Sequence, residues 1–346
     1  MQHPINKELL KKYLKDTCTA SELEQVRGYL ERPDTDAILQ ELIAEESEAA
    51  WERATSAPVE LDEQLSRWQS KFEQRKAASS AHTPQIVKGF FRRNSFLKYA
   101  AVLSTIILGI GIYTFNSFHK KELIEEASVQ LSMKTFTTEK GQRAKITLTD
   151  GTIVYMGAGS SLEYPEQFKD SIRGVSLKGE AFFEVAKNPA QPFIIQTENI
   201  RTQVLGTSFK VNAIKGKPFQ VQVATGKVRV DRITEGQREE LAVLTPGQQL
   251  NLKTLNGRAV SGEAAVADIQ GWKNSRLVFK DQTIQEISEQ LERAYNVHFT
   301  FKSPSKAAAV LTVTLQDNIP LNETLRVLSA GAHFKYHIQG KNIIIK

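Results

Sequence analysis

The side chains able to do chemistry are few and poorly grouped. Among six histidines only His333 and His337 are close in sequence. In an extended strand an i, i+4 pair stands roughly 13 Å apart, too far to share a metal ion. Cys18 is the single cysteine, which excludes an intrachain disulfide framework and any Cys-cluster zinc site, since each needs two thiols. Glu180 and Glu184 are the nearest thing to a pair of catalytic acids. On one face of a strand they read as a solvated pair. Gly157-Ala-Gly159-Ser160 lacks the strand-to-helix context that phosphate binding requires, and no Walker loop, Rossmann fingerprint, G-x-S-x-G or HExxH occurs. We therefore expect no catalytic, cofactor-binding or metal-ligating residue, no cofactor, and a protein that is not an enzyme.

The function must then lie in how elements are arranged. At about 150 residues per domain, 346 residues suggest two or three domains. With 40% apolar and 24% charged residues, wholesale disorder and a multi-span membrane protein are excluded. The net charge of +6 is unevenly placed: residues 1–80 hold 11 basic and 16 acidic side chains. Residues 81–98 hold Lys88, Arg92, Arg93 and Lys98 with no acid. Basic residues do not cluster with aromatics elsewhere, so direct nucleic-acid binding is not expected.

That basic flank abuts Tyr99 to Phe118, twenty residues without a charge. As a helix they would reach about 30 Å, the thickness of a bilayer's hydrocarbon core. We read one transmembrane helix over 99–118, with Arg92, Arg93, Lys98, Lys120 and Lys121 as its membrane flank. Four Lys or Arg within twenty residues on the N-terminal side against three on the other place the N-terminus in the cytoplasm and the C-terminus outside.

Residues 1–75 read as an all-α module of short amphipathic helices. Ile5, Leu9, Leu10, Tyr13 and Leu14 share one face of a 3.6-residue period. Thr19-x-x-Glu22 is a capping box opening a helix with Leu23, Val26 and Leu30. After Pro33 and Asp34 come Ile38, Leu39, Leu42 and Ile43, then Leu61, Leu65, Trp68 and Phe72. Glu41, Glu45, Glu46, Glu48 and Glu52 suggest a solvated face. So small a module buries little apolar area and suits docking to a partner. Residues 76–98 are its linker and membrane flank.

Beyond the span, 119–140 reads as a juxtamembrane linker and 141–255 as an all-β domain. Its strands include Arg143 to Leu148, Ala181 to Val185, Phe193 to Thr197, Ser208 to Ala213 and Phe219 to Thr225, separated by turn signals such as Asp150-Gly151 and Asn188-Pro189. Such a pattern fits a sandwich, a barrel or a β-solenoid. Phe182 and Phe183 must face opposite sides of their strand, and Gly206 fits a bend. After a linker over 256–271, residues 272–346 give two β-α-β halves, a small split α/β domain. Pro320 is expected in the first turn of its second helix and Gly331 at that helix's end.

Four segments carry a resemblance: Gly141-Gln-Arg-Ala-Lys-Ile-Thr-Leu-Thr-Asp-Gly-Thr152, Gly179-Glu-Ala-Phe-Phe-Glu-Val185, Val204-Leu-Gly-Thr-Ser-Phe209 and Leu244-Thr-Pro-Gly-Gln248. In this order they resemble the FecR family of membrane-bound sigma-factor regulators, with Thr149 where proline is expected. Residues 272–346 resemble the C-terminal domain of Bacteroidota-type FecR proteins, itself similar to the short signalling domain of secretins and TonB-dependent receptors. The resemblance implies an anti-sigma factor in the bacterial inner membrane, crossing once, with its C-terminus in the periplasm. It would sequester an extracytoplasmic-function sigma factor and sense the signalling domain of a TonB-dependent outer-membrane receptor. Intramembrane and periplasmic proteases would release the cytoplasmic piece. Leu23, Val26, Leu30, Ile38 and Leu42 are the expected sigma-binding residues. The alternative is an envelope scaffold or glycan-binding protein whose N-terminal helices only dimerise.

Overall fold

The computed structural model describes residues 6–56, without 15, 16, 31, 33 and 34, together with 70 and 133–346. The expected span over 99–118, its flanking Arg92, Arg93, Lys98, Lys120 and Lys121, and the stripe Leu61, Leu65, Trp68 and Phe72 lie outside the described residues. Among the described residues no helix is long and apolar enough to cross a membrane.

The N-terminal stripes form helices α1 (Lys7–Leu14), α2 (Ala20–Leu30) and α3 (Thr35–Ser56). Their shared core is small: Leu9, Leu10, Val26 and Leu42 are buried, with Leu14, Cys18, Tyr29, Ile38 and Leu39 packed around them. The capping box forms in the Thr19 frame. The Thr19 N–H donates to Glu22 Oε2 at 2.8 Å, and the Glu22 N–H donates to Thr19 Oγ1 at 3.4 Å. Lys12 also donates to Glu22 at 2.7 Å, and this bond, aided by those from Thr19, holds the Glu22 carboxyl down at about 2. Glu41 and Glu45 are exposed as expected, yet reach Lys7 and Lys11 at 3.1 and 3.3 Å. Such exposed pairs contribute about 0–1 kcal/mol each.

From residue 133 the chain builds a 13-stranded sheet. Its strands are β1 (Met133–Thr137), β2 (Ala144–Thr147), β3 (Ile153–Met156), β4 (Ser161–Pro165), β5 (Arg173–Glu184), β6 (Phe193–Thr197), β7 (Ile200–Val204), β8 (Ser208–Ala213), β9 (Phe219–Thr225), β10 (Val228–Thr234), β11 (Gln237–Leu244), β12 (Gln248–Leu252) and β13 (Ala259–Glu263). Strand β5 is the spine. Its first half pairs with β4 and, in parallel, with β6; its second half pairs with β3 and β8. The crossing falls at Gly179, whose φ of +103° is closed to other residues without strain. Two wings result, β1-β4-β5-β6-β7-β10-β11 and β2-β3-β5-β8-β9-β12-β13. One core lies between them, with Leu162, Val175 and Phe193 from the first and Val154, Phe209 and Val221 from the second. The wings share this core within one large β-rich domain whose sheet is nearly closed.

Period-two alternation explains which side chains enter that core. Phe183 joins it, whereas Phe182 faces the other way into a second apolar cluster. Strand β1 lies inside the expected 119–140 linker, and β13 inside the expected 256–271 linker. Strands β4 and β11 carry too little alternation to be read locally and form because neighbouring strands supply their hydrogen bonds; β12 alternates, with Leu250 and Leu252 in the core, but over only five residues. Gly206 does mark a bend: a Cβ there would stand 2.7 Å from the Lys187 Cα.

A short helix α4 (Val266–Gly271) and one 3₁₀ turn (Trp272–Asn274) lead into the C-terminal domain. It contains β14 (Arg276–Thr283), α5 (Ile284–Tyr295), β15 (His298–Phe301), α6 (Pro304–Ala307), β16 (Val310–Gln316), α7 (Leu321–Ala332), β17 (Tyr336–Gln339) and β18 (Asn342–Ile345). β14 pairs with β16; β15 runs parallel to β18, which pairs antiparallel with β17. The order strand-helix-strand occurs twice as expected, but the two strands of each half fall in different sheets, β14-β16 and β15-β18-β17. A Thr283–Glu286 capping box starts α5, whose Ile284, Ile287 and Leu291 are buried. Helix α7 corrects two expectations. Pro320 is its N-cap rather than within its first turn, and Gly331 lies inside it, while His333 takes the left-handed cap at φ +51°. A Cβ at Gly331 would meet Leu311 Cδ1 at 3.0 Å, so the leucine side chain would have to give by a few tenths of an ångström.

Candidate functional site

Two places combine exposure with organised chemistry: the outer face of the helical head, and the junction between the β-rich domain and the C-terminal domain. On α2, Leu23 and Leu30 are seven residues apart and so nearly in line, while Val26 sits about 60° round the helix. The structure divides the stripe accordingly. Val26 is buried against Leu9, Leu10 and Leu42, whereas Leu23 and Leu30 are 44% and 40% exposed. Ile38 is half-buried against the same core. Of the five expected docking residues, Leu23 and Leu30 alone present a large free apolar surface. Tyr13 of α1 is exposed as well.

The junction is built around Trp272, which the sequence did not single out. Its ring lies 4.1 Å from the Arg143 guanidinium and 5.0 Å from Lys210 Nζ, contacts that strengthen when desolvated. Arg143 also donates to the Trp272 carbonyl at 2.6 Å and pairs with Asp317 at 2.7 Å. It thereby ties the β-rich domain to both the connecting turn and β16's far end. Below them, Phe182 and Ala224 of the β-rich domain share one apolar cluster with Ile269, Trp272 and Leu277. Lys217 pairs with Glu289 of α5 across the same boundary.

Glu180 and Glu184 depart from the solvated pair expected of them. Glu180 is 7% exposed and bonded to Lys210 at 2.7 Å. Glu184 pairs with Lys273 and accepts from the Tyr155 hydroxyl at 3.2 Å. Each carboxylate has its own cation, Lys210 from the neighbouring strand β8 and Lys273 from the connecting turn. His333 and His337 stand at a helix cap and on β17, and among the described residues no group of acids, histidines and cysteine forms a metal cluster.

One further contact involves α3. Trp51 and Leu205 form a small buried pair, and Glu48 pairs with Lys227.

Residues 134–229 match the family model described as FecR protein, and residues 276–345 match that described as FecR, C-terminal. None of the curated proteins compared matches. Two crystal structures, at 1.65 and 2.50 Å resolution, of a candidate anti-sigma factor from Parabacteroides distasonis are similar. Each shares 28% identity at a TM-score of 0.55, covering 62% of this chain and 98% of the other.

Proposed function

Taking as premise that this chain belongs to the FecR family, we propose that it is an anti-sigma factor, a regulator that works by binding and carries no catalysis. The observation that carries this is the tandem of the two FecR domains behind a helical head that leaves Leu23 and Leu30 uncovered. In this reading the head sequesters an extracytoplasmic-function sigma factor in the cytoplasm, masking surfaces the sigma factor needs for RNA polymerase. The uncharged run over 99–118 anchors the chain in the inner membrane. The β-rich domain and C-terminal domain then lie in the periplasm and receive the signalling domain of a TonB-dependent receptor, and proteolysis relieves the inhibition.

The head supplies a clean test. Leu23→Asp places a charge on an already exposed position, so the fold should persist while capture of the sigma factor by the full chain drops about tenfold or more. That follows from losing an apolar anchor and desolvating a carboxylate at an interface. Leu42→Asp should abolish capture for a different reason, because Leu42 is 2% exposed and an unpaired buried charge unfolds so small a core. Helicity by circular dichroism separates the two. Undiminished capture by the Leu23→Asp chain would remove α2 from the interface.

A second reading draws on the contact of Trp51 with Leu205 and Glu48 with Lys227. There the helices cap the β-rich domain within one compartment and the protein is an envelope scaffold. Reporter fusions after residues 56 and 346 decide: activity in opposite compartments supports the regulator, and activity in the same one supports the scaffold.

A further inference from the structure

Strand alternation lays a patch of carboxamides on the outer face of the second wing. Phe219, Val221 and Val223 of β9 enter the core, so Gln220 and Gln222 point away from it. Register extends the patch into two rows. Gln222 stands between Lys210 of β8 and Gln249 of β12, and Gln220 between Asn212 and Asn251. The amides hold one another in place: Gln222 Nε2 donates to Gln249 Oε1, and Gln220 Nε2 to Asn251 Oδ1, both at 2.8 Å. Helix α4 and strand β14 wall the patch into a cleft of about 320 Å³, a volume within the range of small-ligand sites.

The charges in this cleft balance. Glu180, Glu263 and Asp268 face Lys210, Arg276 and Lys280. Lys210 is bonded to Glu180 at 2.7 Å, and Asp268 to Arg276 and Lys280 at 3.2 and 3.0 Å. Nothing here selects an ion of either sign. Each carboxamide carries two N–H donors and an oxygen with two lone pairs, so the bonds within the rows leave donors and acceptors over. Trp272, 4% exposed, also lines the cleft. Hydroxyl groups, which donate and accept, match such a lining. The strands that carry the amide rows, β8, β9 and β12, are each paired on both sides, so an extended peptide could add only at the free edges of β13 or β14, outside those rows.

We propose that this cleft binds a segment of an uncharged oligosaccharide. The site goes beyond the regulatory reading and stands on residues that the sigma-binding face does not use. The test is calorimetric titration of the purified full chain with chitotetraose, with cellotetraose and with the peptide Gly-Gln-Ser-Gln. Binding of at least one sugar and not of the peptide is expected. The double variant Gln222→Ala/Gln249→Ala should weaken sugar binding about tenfold, as two lost hydrogen bonds predict, and leave sigma capture unchanged. Gln282→Ala, on the facing strand and outside the amide rows, should weaken it several-fold should the double variant prove less stable. Failure of both sugars, undiminished binding by both variants, or binding of the peptide instead would overturn the proposal. Loss of sigma capture in an otherwise intact Leu23→Asp chain bears only on the regulatory reading, so the two fail separately.

Discussion

Arg173→Met should destabilise the β-rich domain by about 3–5 kcal/mol, the usual cost of stripping one partner from a buried ion pair. Arg173 opens β5 and is fully buried. Its Nη1 donates to Asp150 Oδ2 at 2.7 Å and to the Ala186 carbonyl at 2.8 Å, and its Nε donates to the Gln191 carbonyl at 2.8 Å. Its guanidinium also lies 5.4 Å from the Phe193 ring centroid. One side chain therefore gathers the Asp150-Gly151 turn and the loop between β5 and β6 onto the core. Methionine fills similar space but leaves a carboxylate and two carbonyls without their donor. Arg173→Lys should recover little, since an ammonium cannot reproduce the planar fork. Adding Asp150→Asn to Arg173→Met should restore part of the loss, because a neutral amide needs no counter-charge and can still accept from the Thr152 N–H, now at 3.0 Å. Urea unfolding of the wild type, Arg173→Met, Arg173→Lys, Asp150→Asn and the double variant measures this. An unchanged midpoint in the single variant, or additive effects in the double one, would refute the assignment.

Gly179→Ala should cost on the order of 4 kcal/mol, from a left-handed backbone forced on an L side chain together with overpacking. A Cβ at this position would stand 2.4 Å from Ser160 Oγ and 2.7 Å from Ser160 Cα. The serine cannot step aside freely: its hydroxyl is shared with the Glu180 N–H at 2.9 Å, and its own N–H donates to Thr138 Oγ1 at 3.0 Å. The clash falls where β5 passes from one wing to the other, so the two sheets would lose their alignment over the common core. Gly216→Ala is the control. Its φ of +77° carries the same kind of backbone strain, but nothing lies within 4 Å of the added methyl group, and a loss of about 1–2 kcal/mol is expected. Equal thermal shifts in the two variants would show that close packing at Ser160 is unimportant.

The local features were legible because they depend on neighbours in sequence. The Thr19–Glu22 box, the opposed faces of Phe182 and Phe183, the bend at Gly206 and the elements of the C-terminal domain each follow from a short window of residues. Leu23, Val26 and Leu30 were read as one stripe, and as a stripe they were placed correctly on one helix. Which of them stays uncovered was not local: α1 and α3 take Val26, and the narrow core ends before it reaches Leu23 or Leu30. The same limit explains Glu180 and Glu184, whose partners Lys210 and Lys273 lie 30 and 89 residues further along.

By itself, then, the sequence determined the element types, the family resemblance and the alternation that sends Gln220 and Gln222 to one side of β9. Only the tertiary structure decided that β5 belongs to two sheets, that Trp272 is clamped between Arg143 and Lys210, and that the amide rows are roofed into a cleft. The reason is one of range. Periodicity fixes a side chain's direction relative to its own backbone, whereas the surface it then meets is set by strands and helices brought in from distant parts of the chain.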